Sequence, residues 1–155
     1  PIHSSAASDV YKRQTLADAS GGWYHVVLTR DDSANDLILY VNGVNVAENL
    51  GFTISTNNNN SEFMIGNRNA GSSAWYDGRV DEVAFWDTEL SANAVSALYN
   101  SGAGLSASSN SGNYTFSGDL LIYLKMQQNL QDSANSYDFS NQNLNDPDDY
   151  DQTNF

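Results

Sequence analysis

The residue types best able to do chemistry in this 155-residue chain are its carboxylates, and they gather in one stretch, Asp77–Tyr99 (DGRVDEVAFWDTELSANAVSALY). Asp81, Glu82, Asp87 and Glu89 all lie there. Glycoside hydrolysis needs two carboxylates ~5 to 9 Å apart, one acting as acid and the other as base or nucleophile. Asp81 and Asp87 share parity on an ideal strand, so the spacing alone permits such a pair. The competing reading gives these side chains to neighbouring backbone or to solvent. His25 sits inside a strand-like run and His3 near the start, and neither has a nucleophile-elbow or zinc-helix motif beside it. No triad spacing and no phosphate-cradling glycine loop is present, so the expectation is a protein that is not an enzyme.

Oxygen-rich loops suggest a different chemistry. Calcium takes about six to eight oxygens from carboxylates, amides and backbone carbonyls. Asp31, Asp32, Asn35 and Asp36 form one concentrated cluster, and Asp146, Asp148, Asp149 and Asp151 form another. Neither follows the EF-hand pattern, and solvated loop acidity is the alternative. Asp31 and Asp36 are the candidate calcium ligands. Flat aromatic faces stack on sugars and anchor interfaces. Trp75 and Tyr76, beside a loop, are the candidate ligand-binding residues, with Tyr40 a further possibility, whereas Trp23, Phe85 and Trp86 sit in strand patterns and are expected in the core.

The elements that must position these groups are short. WYHVVLTR (Trp23–Arg30) is a β-rich run between Gly21-Gly22 and the polar cluster 31–36. Leu37–Val46 carries Asn42-Gly43 between two apolar runs, which predicts a tight type I′ hairpin. Phe52–Ile54 and Phe63–Ile65 are short strand candidates around an Asn-rich loop. Arg79–Trp86 reads as a strand with one buried face. Ser91 is a good N-cap for a helix over residues 91–100, whose apolar face is Ala94, Val95, Leu98 and Tyr99, with Gly102 at its stop.

Taken in order, WYHVVLTR, LYVNG, FMIGNR, DGRVDEVAFWDTELS and LYNSG resemble the laminin G-like, concanavalin A-like lectin/glucanase jelly-roll domains of large bacterial and viral surface proteins. The resemblance implies an all-β fold, an antiparallel β-sandwich of the jelly-roll type with one short helix. It implies an extracellular or surface location and, among relatives, calcium in rim loops. The Glu-x-Asp-x-x-Glu arrangement of jelly-roll glucanases is missing, which weakens a catalytic role for the carboxylates.

Four segments are expected. Ser4–Gln14 (SSAASDVYKRQ) resembles a translated sequencing adapter, so residues 1–14 are set aside from fold reasoning. Residues 15–104 are then a jelly-roll domain lacking its N-terminal strands. Residues 105–118, rich in Ser, Asn and Gly, read as a flexible linker. Residues 119–155 resemble the start of a second repeat, with LLIYLKM as its first strand and NLQDSANSYDFS as the following loop. That first strand is expected to fold back beside Arg79–Trp86 and fill an open edge.

Charge narrows the partners. A net charge of −13 with six Lys and Arg argues against nucleic acid, whose phosphates demand clustered cations. No apolar run approaches the ~20 residues of a membrane span, and no cysteine offers thiol chemistry or a disulfide. The functional expectation is non-catalytic recognition of carbohydrate or protein, with calcium as the one implied cofactor. The alternatives are a structural spacer repeat in a surface or phage-fibre protein and an accessory domain of a polysaccharide-degrading enzyme.

Overall fold

The computed structural model describes residues 22–51, 63–66, 76, 78–126 and 131–136. Its elements are strands β1 (Val26–Asp31), β2 (Asp36–Val41), β3 (Val44–Asn49) and β4 (Val83–Trp86), helix α1 (Ala92–Tyr99) and strand β5 (Leu120–Leu124), with single 3-10 turns at Asn100–Gly102 and Ser117–Asp119. Among the described residues these form two antiparallel sheets, one ordered β1-β2-β3 and one made of β4 and β5. The fold is therefore mostly β with one short helix.

The first sheet follows from alternation. In β1 the side chains of Val27 and Thr29 turn inward while Val26 and Leu28 stay exposed. Across β2 their partners are Tyr40 and Ile38, so the inward residues of both strands lie on one face. The β2–β3 connection is Asn42-Gly43, at φ 52° and 76°, as the type I′ turn requires. The register shifts between Leu39 and Tyr40, where Ala47 and Asn45 are the partners and Val46 is the extra residue. The hairpin tip packs against α1. A Cβ on Gly43 would lie 3.3 Å from the Ser96 Cα and 3.2 Å from the Tyr99 Cδ1, so the absent side chain permits both the turn and the packing.

Helix α1 starts where the cap residue dictates. The Ala94 amide donates to Ser91 Oγ at 3.2 Å, and Ala94, Val95 and Leu98 form the buried face. The helix ends earlier than Gly102. Asn100 takes the left-handed conformation at φ 48° and donates its amide to the Ser96 carbonyl, and Ser101 and Gly102 continue with positive φ. Asn tolerates that conformation better than most side-chain-bearing residues, which is why it can supply the stop.

β4 is shorter than the run Arg79–Trp86 because Glu82 has φ 53°, which breaks the extended conformation just before Val83. β5 runs antiparallel to β4, with Val83 opposite Leu124, Ala84 opposite Tyr123, and Phe85 opposite Ile122. A bulge follows and sets Trp86 opposite Leu120. The bulged residue, Leu121, is turned out while Leu120, Tyr123 and Leu124 are buried.

Residues 105–118 differ from a flexible linker in how they pack. Tyr114 is fully buried and Ala107 nearly so, both within the core that contains Tyr40, Leu90, Val95, Leu98, Leu120 and Tyr123. Tyr114 OH donates to the Ala107 carbonyl at 2.7 Å and accepts from Trp86 Nε1 at 2.9 Å. Reciprocal backbone bonds of 2.9 and 3.0 Å between Ser111 and Tyr114 close the turn that delivers the ring. Low apolar content misleads here because one large aromatic residue with a satisfied hydroxyl anchors the whole segment.

Three further expectations change. Phe63–Ile65 is not a strand, and Phe63 instead meets Phe85 edge to face at 4.9 Å. Trp23 is 41% exposed and lies under the Arg79 guanidinium, 5.2 Å from the ring centre, because it precedes β1 and escapes the inward alternation. Tyr40 is buried, since its position on β2 faces the core, so it offers no face to a ligand. Phe52–Ile54, Trp75 and the cluster Asp146–Asp151 lie outside the described residues.

Candidate functional site

The β1–β2 loop brings Asp31 and Asp36 together as register partners. Asp31 Oδ1 accepts from the Ser33 amide at 2.7 Å, Ser33 Oγ at 2.6 Å and the Ala34 amide at 3.0 Å. Those bonds, the hydroxyl foremost, hold its carboxyl below the usual range. Asp36 Oδ1 accepts from the Gly51 amide at 3.1 Å, which ties the loop to the end of β3. Glu89 also feels this corner: slight burial raises its pKa, and the charges of Asp31 and Asp36 raise it further. Among the described residues no group of three or more His, Asp and Glu is arranged to hold a metal ion. A calcium ion on Asp31 and Asp36 would therefore have to draw its remaining oxygens from backbone and water.

Two carboxylates of the Asp77–Tyr99 stretch, Asp81 and Glu82, serve the fold. Asp81 Oδ1 accepts from the Glu82 amide at 3.0 Å, and Glu82 Oε2 accepts a hydrogen bond from Tyr123 OH. Burial pushes the Glu82 carboxyl up, the Tyr123 bond opposes that, and the Asp81 charge adds to it. Burial, and next the same contact, push Tyr123 up to about 12. Glu82 thus adopts a left-handed backbone to hand its carboxylate to a tyrosine on β5, locking the start of β4 against its partner strand.

Asp132 and Asn135 play the matching part on the other side of β5. Asp132 is buried and accepts from the amides of Tyr123 at 2.8 Å, Ala134 at 2.9 Å and Asn135 at 3.1 Å. Asn135 Nδ2 donates to the Leu121 carbonyl at 2.6 Å. This turn covers backbone groups of β5, a strand-fixing role that the sequence motif did not reveal.

Of the candidate ligand-binding residues, Tyr76 is 60% exposed, and its ring lies so close to Gly78 that a Cβ there would sit 2.7 Å away. Trp75 falls outside the described residues.

A concave surface lies elsewhere. A groove of about 380 Å³ is bounded by the hairpin tip (Asn42, Val44), the outer face of α1 (Asn93, Ser96, Tyr99) and the turn at Asn113. None of its lining residues is charged. Its walls are fixed: the Asn42 amide donates to the His25 carbonyl at 2.8 Å, and the His25 amide returns a bond to Asn42 Oδ1 at 3.0 Å. The His25 ring stacks on Tyr99 with centroids 6.0 Å apart, and burial lowers its pKa. Sequence reading missed this groove because its parts are separated along the chain. One signal was available: from Leu90 to Gly118 this acidic protein has no Asp, Glu, Lys or Arg.

A laminin G-like family model, described as the concanavalin A-like lectin/glucanases superfamily, matches residues 2–96. The chain belongs to that superfamily. The matched span takes in β1 to β4 and α1 as far as Ser96, whereas Tyr99, Asn100, Ser101 and Asn113 of the groove lie beyond it. No curated protein matches the chain. Among solved structures, an S-layer domain-containing protein (residues 221–444) from Clostridium thermocellum ATCC 27405 is similar, with 25% identity and a TM-score of 0.43. The alignment covers 52% of this chain and 40% of that one.

Proposed function

We propose that this chain is a non-catalytic recognition module of a larger extracellular or surface protein, binding carbohydrate or protein. The observation that carries the reading is the division of labour between its polar groups. Asp81 and Glu82, the best candidates for acid–base work, are engaged within the fold, whereas the concave surface is lined by uncharged amides, hydroxyls and a tyrosine. Amides and hydroxyls can donate and accept, so they suit hydrogen-bonded recognition without proton transfer. Superfamily membership supports the same reading.

The finer architecture belongs to the proposal. Two antiparallel sheets sharing a core with Tyr40 on one and Tyr123 on the other support a jelly-roll sandwich, in which β5 opens a further repeat while closing this one. Calcium at Asp31 and Asp36 is the accessory of this reading. A ligand that binds the folded form must raise its melting temperature. Calcium titration with thermal readout therefore tests it, and a melting temperature unmoved by millimolar calcium, with no heat of binding, removes calcium from the account.

The test of the main reading pairs two assays on the same polysaccharides. Retention on insoluble or gel-embedded polysaccharide, with no reducing ends released on long incubation, is expected. Release of reducing ends that Glu82→Gln abolishes would make the protein a hydrolase.

A further inference from the structure

We propose that the groove between the hairpin tip and α1 is a binding site for neutral saccharides and discriminates against acidic ones; this rests on the recognition reading above. Three observations converge. The groove is lined from two charge-free stretches: Leu90–Gly118 and Val41–Ala47 contain no Asp, Glu, Lys, Arg or His, although the chain carries 19 Asp and Glu. Its polar side chains are available. Among the described residues no hydrogen bond engages the side chains of Asn93, Ser96, Ser101 or Asn113, whereas Asn42 and Asn100 are used to hold the walls. The walls are also built in advance, by the Asn42–His25 bonds, the close approach of Gly43 to α1 and the three successive left-handed residues Asn100, Ser101 and Gly102. A rigid surface binds without first losing conformational freedom.

The chemistry selects the ligand class. Each asparagine offers two donors and an acceptor, and each serine one donor and an acceptor, which matches vicinal hydroxyl pairs on a sugar. No cation in the lining could pair with a carboxylate or sulfate, and the net charge of −13 repels polyanions at long range. A volume of about 380 Å³ lies within the range of small-ligand sites, at its lower end, and suits one or two sugar rings.

The experiment screens the full chain against cello-, manno- and chito-oligosaccharides and against polygalacturonate and alginate. The strongest binder is then titrated by calorimetry into the wild type, Asn93→Ala/Asn113→Ala and Tyr76→Ala. The inference predicts a neutral ligand, a loss of at least tenfold in affinity for the double variant at unchanged melting temperature, and no loss for Tyr76→Ala. Affinity unchanged in the double variant but lost in Tyr76→Ala, or a preference for the acidic polymers, would overturn the groove while leaving recognition intact. Binding to none of the five would overturn the groove as a saccharide site and leave protein as the partner of the recognition reading.

Discussion

At the scale of single residues, one buried hydroxyl and one absent side chain do work that their neighbours cannot take over. Tyr114 satisfies the Ala107 carbonyl and the Trp86 indole from inside the core. Tyr114→Phe keeps the ring and removes both bonds, leaving a buried carbonyl and a half-buried indole N–H without partners, a loss of about 1–3 kcal/mol for the buried group and less for the other. Chemical denaturation should show a lower midpoint at unchanged slope. Gly43→Ala puts a methyl at positive φ and within 3.2–3.3 Å of α1, so it should destabilise by about 1–3 kcal/mol and also disturb the groove. Some of this was legible beforehand: Asn42-Gly43 announces its own turn chemistry. The pairing of Glu82 with Tyr123 was not, because it joins residues far apart in sequence and depends on a left-handed backbone at a glutamate.

At the scale of elements, the hairpin and α1 are held together through His25, whose ring stacks on Tyr99. Burial lowers the His25 pKa, so between the folded value and 6.5 the unfolded chain binds more protons than the folded one. Its contribution is present above pH 6.5 and is lost as pH falls through that window. Melting temperature should therefore drop on acidification below pH 6.5, and His25→Gln should flatten that drop. Tyr123 acts at the other end. Its pKa, raised to about 12, means stability is full below pH 10 and lost as pH rises toward 12, a loss that Tyr123→Phe should abolish. Strand and helix positions were readable because period and caps are local signals, as at Ser91 and in Val26–Asp31. The packing of 105–118 was hidden because composition averages away a single anchoring tyrosine; the extent of α1 was legible, but its left-handed stop falls on Asn100 and not on the glycine that marked it in the sequence.

At the scale of the whole molecule, acidity and neutrality are segregated: the Asp31, Asp36 and Glu89 corner carries negative charge, and the groove beside α1 carries none. Binding to a neutral saccharide should then depend little on ionic strength, since no ion pair forms and no counterions are released. Affinity measured at low salt and at about 0.5 M sodium chloride should agree within twofold. The family was legible from an ordered set of short motifs, because each marks a strand or turn that the fold cannot omit. The candidate site was not, because its residues are ordinary Asn and Ser whose meaning comes only from being brought to one surface. Amide chemical-shift mapping with the best-bound oligosaccharide tests this account most directly. It predicts shifts concentrated at Asn42, Gly43, Asn93, Ser96, Ser101 and Asn113, with Asp81, Glu82 and Tyr123 unmoved; shifts centred on Asp81 and Glu82, or no shifts at saturating sugar, would contradict it.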